Sequence, residues 1–383
     1  MCLLLLLFPL TPPEADPGPT SVRGVSFLAV RALVLLVGLL GCGSEVDNYL
    51  TASTGGRIGG SSYLTLPEAG IRRIYFTNNE GGVSVRENNA EFELIPGETS
   101  PAFPLLSPNG ARLAVVRRGE KPSLSTMSAD LADNYLVLPT TEPHAMAWSP
   151  DSRRLLFSTT LPPYQLFTAD FDDSNRLLLA DSEVQIDAAW APDGRQVVYT
   201  GTDGDGVAQV FTVGADGQGR RQITGGERPK SRPSWSSDGT RLTFVSFEAG
   251  SGGVYRLAMV DLTRGNGDVV ELAFEASLFD QTFPFTEQRW SPFGRFLGFS
   301  VFTEKERSRV EFIDMQDQSR WMVTDAKFGD RLVDWSPRRG FLVFARQIEF
   351  DWFLVMKRIT GEPDSEQFIL GPQKWPGYSV EWD

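Results

Sequence analysis

The 383 residues carry 36 Lys and Arg against 49 Asp and Glu, a net charge of −13, which excludes a nucleic-acid partner that would need concentrated cationic side chains. Hydrophobic residues make up 41% of the chain and charged residues 22%, enough apolar material for a large core and too little charge for a disordered polymer. With Cys2 and Cys42 as the only cysteines, a disulfide framework is excluded as well.

The N-terminal region reads as an address. In VRGVSFLAVRALVLLVGLLGC (residues 22–42), Arg23 and Arg31 supply positive charge ahead of the apolar run Ala32 to Gly41. That run, about ten residues, is too short for a hydrocarbon layer of about 30 Å and suits a signal-peptide core. Its last four residues, Leu39-Leu40-Gly41-Cys42, resemble the lipobox of bacterial lipoproteins. The resemblance implies that residues 1–41 are removed and that Cys42 carries the lipid anchoring the protein to a membrane. Glu14 and Asp16, in a Pro-rich stretch, fit no such leader and point to a start near Val22 or Val25, with residues 1–21 untranslated. Gly43 stands where inner-membrane retention calls for aspartate, so the lipoprotein resemblance implies the outer membrane, facing the periplasm. Residues 42–70 continue as a small, polar, Gly-rich tether of about 28 residues.

From Ile71 onward the chain repeats itself. LSPNGARLAVV starts at Leu106, WSPDSRRLLF at Trp148, WAPDGRQVVY at Trp190, WSSDGTRLTFV at Trp235, WSPFGRFLGFS at Trp290 and WSPRRGFLVFA at Trp335, while YSVEWD ends the chain with Trp382. Successive positions lie 42, 42, 45, 55, 45 and 47 residues apart. A unit of about 40–45 residues is the blade length of a β-propeller. In each copy the aromatic residue closes one strand and Ser-Pro-Asp-Gly makes the turn: Pro presets φ, Asp bonds nearby backbone, and a glycine such as Gly194 or Gly239 tolerates the last position. A centrally apolar strand then opens, as expected where both sheet faces are covered. Third strands (AQVFTVG, GVYRLAMVD, RVEFIDM) and weaker outer strands (EFELIPG, RRQITGG, SRWMVTD) follow.

The segments AAWAPDGRQVVYTG…AQVFTVGADGQGRRQIT and PSWSSDGTRLTFVS…GGVYRLAMVDL resemble TolB-like propeller repeats of bacterial envelope proteins, which are related in shape to WD-repeat proteins. The resemblance covers residues 71–383 and implies an all-β fold. Counting strands gives a seven-bladed β-propeller of four-stranded antiparallel blades. Its first blade, Arg72 to Gly97, lacks an inner strand, and Tyr378 to Asp383 is expected to supply it, closing the ring. TolB has six blades and a separate N-terminal α/β domain, for which the tether is too short, so its role in the Tol–Pal system does not transfer.

Six of the nine tryptophans (Trp148, Trp190, Trp235, Trp290, Trp335, Trp382) occupy the repeated position and are expected to pack. Trp321, Trp352 and Trp375 lie outside it and are candidates for exposed contact. So are Phe274, Phe279, Phe283 and Phe285, in an insertion Ala273 to Gln288 placed between an outer and an inner strand; EKERSR, Glu304 to Arg309, reads as a solvated loop. Chemistry is sparse. The one histidine, His144, precedes an inner strand, no G-x-S-x-G elbow occurs, and no hydrolase sequence follows the propeller, as it does in some peptidases. Zinc lacks ligands. The carboxylates of Asp203 and Asp205, and of Asp170, Asp172 and Asp173, sit in turns without continuing into a calcium loop. The expected protein is therefore a non-catalytic, cofactor-free, lipid-anchored envelope platform for another envelope protein. The alternatives are a module binding a glycan or peptide at the channel mouth and, further off, a glycan-active enzyme using channel carboxylates.

Overall fold

The computed structural model describes Leu66 and residues 70–382 except 89, 98–100, 119–121, 131–132, 139–142, 144–145, 160, 184–185, 249–253, 265–267, 277–284, 305–306, 326, 338–339, 360–365 and 375–376. Cys42, the signal segment and the tether up to residue 65 lie outside it, as do His144, Phe279, Phe283 and Trp375. The described residues belong to one compact unit, Gly60–Asp383.

Strands follow one another as antiparallel meanders. The first sheet contains β1 (Ile71–Thr77), β2 (Val83–Glu87) and β3 (Ala90–Ile95); the second contains β4 (Ala102–Leu106), β5 (Arg112–Arg117), β6 (Ser123–Ser128) and β7 (Asn134–Leu138). The third contains β8 (Met146–Trp148), β9 (Arg154–Ser158), β10 (Tyr164–Asp170) and β11 (Leu177–Ser182), and the fourth β12 (Ala188–Trp190), β13 (Gln196–Thr202), β14 (Ala208–Gly214) and β15 (Arg221–Gln222). The fifth contains β16 (Lys230–Trp235), β17 (Arg241–Glu248), β18 (Val254–Asp261) and β19 (Val269–Ala276). An eight-stranded sheet holds β20 (Phe285–Trp290), β21 (Phe296–Glu304), β22 (Arg307–Asp314), β23 (Arg320–Met322), β24 (Gly329–Trp335), β25 (Phe341–Ile348), β26 (Asp351–Arg358) and β27 (Gln367–Gln373). Its halves, β20–β23 and β24–β27, meet through the parallel bridge Ser308↔Gly329 and are otherwise antiparallel meanders like the rest.

The last strand, β28 (Tyr378–Trp382), returns to the beginning and pairs antiparallel with β1, from Ile71↔Trp382 to Phe76↔Tyr378. The first sheet is thus β28-β1-β2-β3, built from both ends of the described chain. Two loop expectations are corrected: β19 reaches Ala276 and β20 starts at Phe285, so both ends of the expected insertion are strand, and β21 and β22 close through Glu304↔Arg307 inside EKERSR. The long ladders β18–β19 and β21–β22 carry the backbone pairing into these segments.

Burial follows position in the sheet. Middle strands such as β13 and β25 are buried through five successive residues, whereas β15 and β23 are exposed throughout. Continuous burial means that both faces of the middle strands are covered, and each cover is the neighbouring sheet. Tyr75 and Val83 pack with Leu113 and Val115; Val116 with Leu155 and Phe157; Leu156 with Val197 and Tyr199; Val198 with Leu242 and Phe244; Leu257 with Leu297 and Phe299. The last group, through Val343, Leu354 and Leu370, packs against Ile71, Ile74 and Phe76 of β1. One charged pair is buried there too: the Arg346 guanidinium donates to both oxygens of Asp330 at 2.9 Å and also reaches Glu366.

The repeated tryptophans stitch sheet to sheet. The indole N–H of Trp148 donates to Leu105 O (3.0 Å), that of Trp190 to Ala147 O (3.3 Å) and that of Trp335 to Arg289 O (2.9 Å). Each acceptor immediately precedes the repeat position of the preceding sheet. Trp235 Nε1 and Trp290 Nε1 are buried with no partner among the described residues. Hydrophobic packing is therefore common to these tryptophans while the hydrogen bond is not. Trp148→Phe should destabilise the fold by about 1 kcal/mol more than Trp235→Phe in chemical denaturation, because only the former abandons a paired carbonyl.

Candidate functional site

The turns joining the first two strands of each sheet are built alike. Ser149 N–H donates to Arg154 O and Ser152 N–H to Ser149 O; Asp151 Oδ1 accepts from Ser149 Oγ (2.6 Å) and Arg153 N (3.1 Å); and Ser149 Oγ accepts from Arg154 N (2.9 Å). Ser236 and Asp238 repeat this arrangement, and Asn109 takes the acidic position beside Ser107. Asp193 accepts from Arg195 N although Ala191 replaces the serine. The fourth position is left-handed in the five copies where it is described, with φ of 72° at Gly110, 62° at Ser152, 69° at Gly194, 70° at Gly239 and 69° at Gly294. The Ser149 hydroxyl bond holds the Asp151 carboxyl below the usual range against the opposing effect of burial.

These turns touch in succession. Asn109 N–H donates to Ser152 Oγ (3.0 Å) and Ser237 Oγ to Ser291 O (2.6 Å); a Cβ on Gly194 would lie 3.7 Å from Pro150, and one on Gly239 3.7 Å from Pro192. They therefore share one face. On that face lies a cavity of about 600 Å³, lined by β4, β28, the Pro108–Gly110 turn, Arg289, Asp334 and Pro337. Its floor is the junction of β28 with its neighbours: Arg72 Nη1 donates to Glu381 Oε1 (3.2 Å), and Leu106 N–H to Ser379 Oγ (3.0 Å). Glu381 Oε2 and the Tyr378 hydroxyl are buried without hydrogen-bond partners among the described residues. Burial pushes the Tyr378 hydroxyl far above its ordinary value, so it stays protonated.

Two copies depart from Asn or Asp at the third turn position: WSPRRG carries Arg338 there, and WSPFG carries Phe293. In WSPFG, Phe293 occupies the position held elsewhere by Asn109, Asp151, Asp193 and Asp238, and it is 85% exposed. It forgoes the clamp and presents an aromatic ring to solvent. Sequence reading passed over it, although its departure from the repeat was the available signal.

The expected site residues divide. Trp321 is 57% exposed beside exposed Met322, its indole donating to Ser319 Oγ (2.9 Å) and its ring stacked near Phe312. Trp352, expected to be exposed, is corrected: it is 7% exposed because β26 is an interior strand, and the Arg331 guanidinium lies 5.2 Å from its ring centroid. Phe274 and Phe285 lie on β19 and β20, and Trp382 pairs with Ile71 on β28. The turn carboxylates serve local donors: Asp203 Oδ1 accepts from Asp205 N and Val207 N, Asp172 Oδ1 from Ser174 N and Oγ, and Asp170 Oδ2 from Asn175 Nδ2, while Asp173 pairs with Arg176.

Glycine at 110 is required by a close approach as well as by its φ of 72°. A Cβ there would stand 2.7 Å from Glu381 Oε1, whereas one on Gly294 (φ 69°) would meet nothing within 4 Å. Gly294→Ala should cost about 1 kcal/mol from backbone strain alone. Gly110→Ala should cost more in the same denaturation measurement, because it also pushes Glu381 away from Arg72.

No family model matches the sequence. A stretch of 43 residues is 49% identical to dipeptidyl-peptidase 5 of Porphyromonas gingivalis; it is 11% of this chain and spans 6% of that protein's length. Among solved structures, oligogalacturonate lyase in complex with manganese is 12% identical with a TM-score of 0.56, covering 78% of this chain and 93% of that one. The tricorn protease is 11% identical with a TM-score of 0.55, covering 81% of this chain and 34% of that one. TolB from Acinetobacter baumannii is 18% identical with a TM-score of 0.48, covering 72% of this chain and 66% of that one. At these identities a likeness speaks to fold alone. With its four-stranded antiparallel sheets following one another along the chain, this protein has an all-β fold of the β-propeller type.

Proposed function

We propose that the protein is a lipid-anchored component of the bacterial envelope whose seven four-stranded units close into a ring and present a face to a partner protein. Closure is supported by the β28–β1 ladder and by the packing of Val343, Leu354 and Leu370 against Ile71 and Phe76. Joining first and last sheets removes the exposed inner edge that an open series would carry.

The observation that carries the platform reading is Phe293. Asparagine or aspartate at this turn position satisfies backbone donors; phenylalanine satisfies none and exposes a large apolar ring. A residue that contributes nothing to its own turn is explained by contact with another molecule, and aromatic residues are enriched at the centres of such contacts. The similar structures include enzymes, a lyase and a protease, but activity does not transfer with fold.

Two measurements test this reading. Envelope proteins retained by the immobilised full chain should be lost with Phe293→Asp, while chemical denaturation shows stability equal to or above that of the parent, because aspartate restores the turn clamp. An unchanged set of retained proteins would overturn the assignment of this face. The anchor is tested separately: Cys42→Ala should move the protein from the membrane pellet to the soluble fraction of lysed cells.

A further inference from the structure

A cleft lies between the connection that follows the short strand β15 and the fifth sheet. β15 has two residues, and the connection that follows it, Gly225 to Arg228, forms one side of the cleft. The resulting space is about 510 Å³ and is walled by Phe244, Ser246, Ala258 and Val269 of β17, β18 and β19. Four charged side chains at its rim satisfy one another. Arg228 reaches Glu248 (3.0 Å) and Glu271 (3.5 Å), and Arg256 reaches the same two carboxylates at 2.9 Å each.

Lys230, the first residue of β16, lines this cleft and stands outside that ring. It is 7% exposed, and its Nζ donates to Arg228 O. No carboxylate lies within ion-pair distance of it among the described residues. Burial, reinforced by the positive Arg228, pushes its ammonium below the ordinary value, and Asp203 acts in the opposite direction. Glu227, Glu248, Arg256 and Glu271 are the other charged groups around the cleft. A lysine held this way is placed as a nucleophile: desolvated, close to a second cation, and facing open volume.

We propose that this cleft takes a small aldehyde or ketone and that Lys230 Nζ binds it covalently as an imine. The Nζ lone pair attacks the carbonyl carbon and the π pair moves to oxygen. Proton transfer from nitrogen to oxygen then gives a carbinolamine, and loss of water leaves the C=N bond. No oxidant or reductant takes part. The apolar part of the wall accommodates the hydrocarbon part of the ligand, and because the rim charges pair with one another, the Lys230 amine, bonded to Arg228 O and to no carboxylate among the described residues, is the nucleophile that lines the cleft. Nothing in the proposed partner-binding role uses this cleft, which opens between sheets and away from the Phe293 turn.

The test uses the folded full chain in detergent, treated with propionaldehyde and sodium cyanoborohydride, digested, and read by peptide mass. Lys230 should be propylated about tenfold faster than the exposed Lys374 at pH 7. The preference should vanish in denaturant, and the adduct should vanish in Lys230→Arg. Labelling of Lys230 no faster than Lys374 in the folded protein, or a ratio unchanged by denaturant, would overturn the proposal. The decisive comparison is made within the parent protein and does not require the variant to fold.

Discussion

The pairing of β28 with β1 is the contact on which the rest of the structure depends. A β-sheet of this kind is buried on both faces, so its middle strands are stable only while each neighbouring sheet stays in place. The first and last groups of strands would each lack one cover if the chain were merely a row. By running β28 back to β1, the chain lets Ile71, Ile74 and Phe76 pack against Val343, Leu354 and Leu370, and the two ends of the row cover each other. Residues 309 apart, Arg72 and Glu381, are then linked by an ion pair that lines a cavity. The candidate site thus lies where both ends of the described chain meet in one sheet.

The repeats specify each sheet twice over, by a turn and by a tryptophan. The turn works locally, through Ser149, Asp151 and their equivalents bonding to backbone within five residues. The tryptophan works across sheets, through an indole N–H reaching the preceding inner strand. The two devices vary independently: Trp235 lacks its acceptor but sits beside a fully formed Ser236–Asp238 turn, whereas the copy at Trp290 lacks both the indole acceptor and the aspartate of the turn. Departures from the pattern are consequently informative, because local geometry does not demand them. Phe293 is such a departure.

What could be read in the sequence was whatever repeats. The strand–turn–strand units and the burial of Trp148, Trp190, Trp235 and Trp335 follow from periodicity and turn chemistry, and the pairing of Tyr378–Trp382 with β1 follows from counting the strands that the repeat supplies. Trp352 was misjudged because it lies outside the repeat, and nothing in the local string says that Arg331 lies against it. Lys230 was invisible for the same reason. Its burial is decided by the strands packed around it, and its chemistry by the absence of an acid that only folding could have placed beside it.

The β28–β1 ladder also fixes how the molecule bears load. Its backbone bonds run across the strand direction, between residues from Ile71 and Trp382 to Phe76 and Tyr378, with β2 gripping the opposite edge of β1. A pull on the chain ahead of Ile71 therefore acts along β1, and the bonds on both sides must slide together rather than open one after another. Tension arriving from that end is met in shear, the stiffest loading geometry a strand has, and the first sheet becomes the mechanical clasp of the whole assembly.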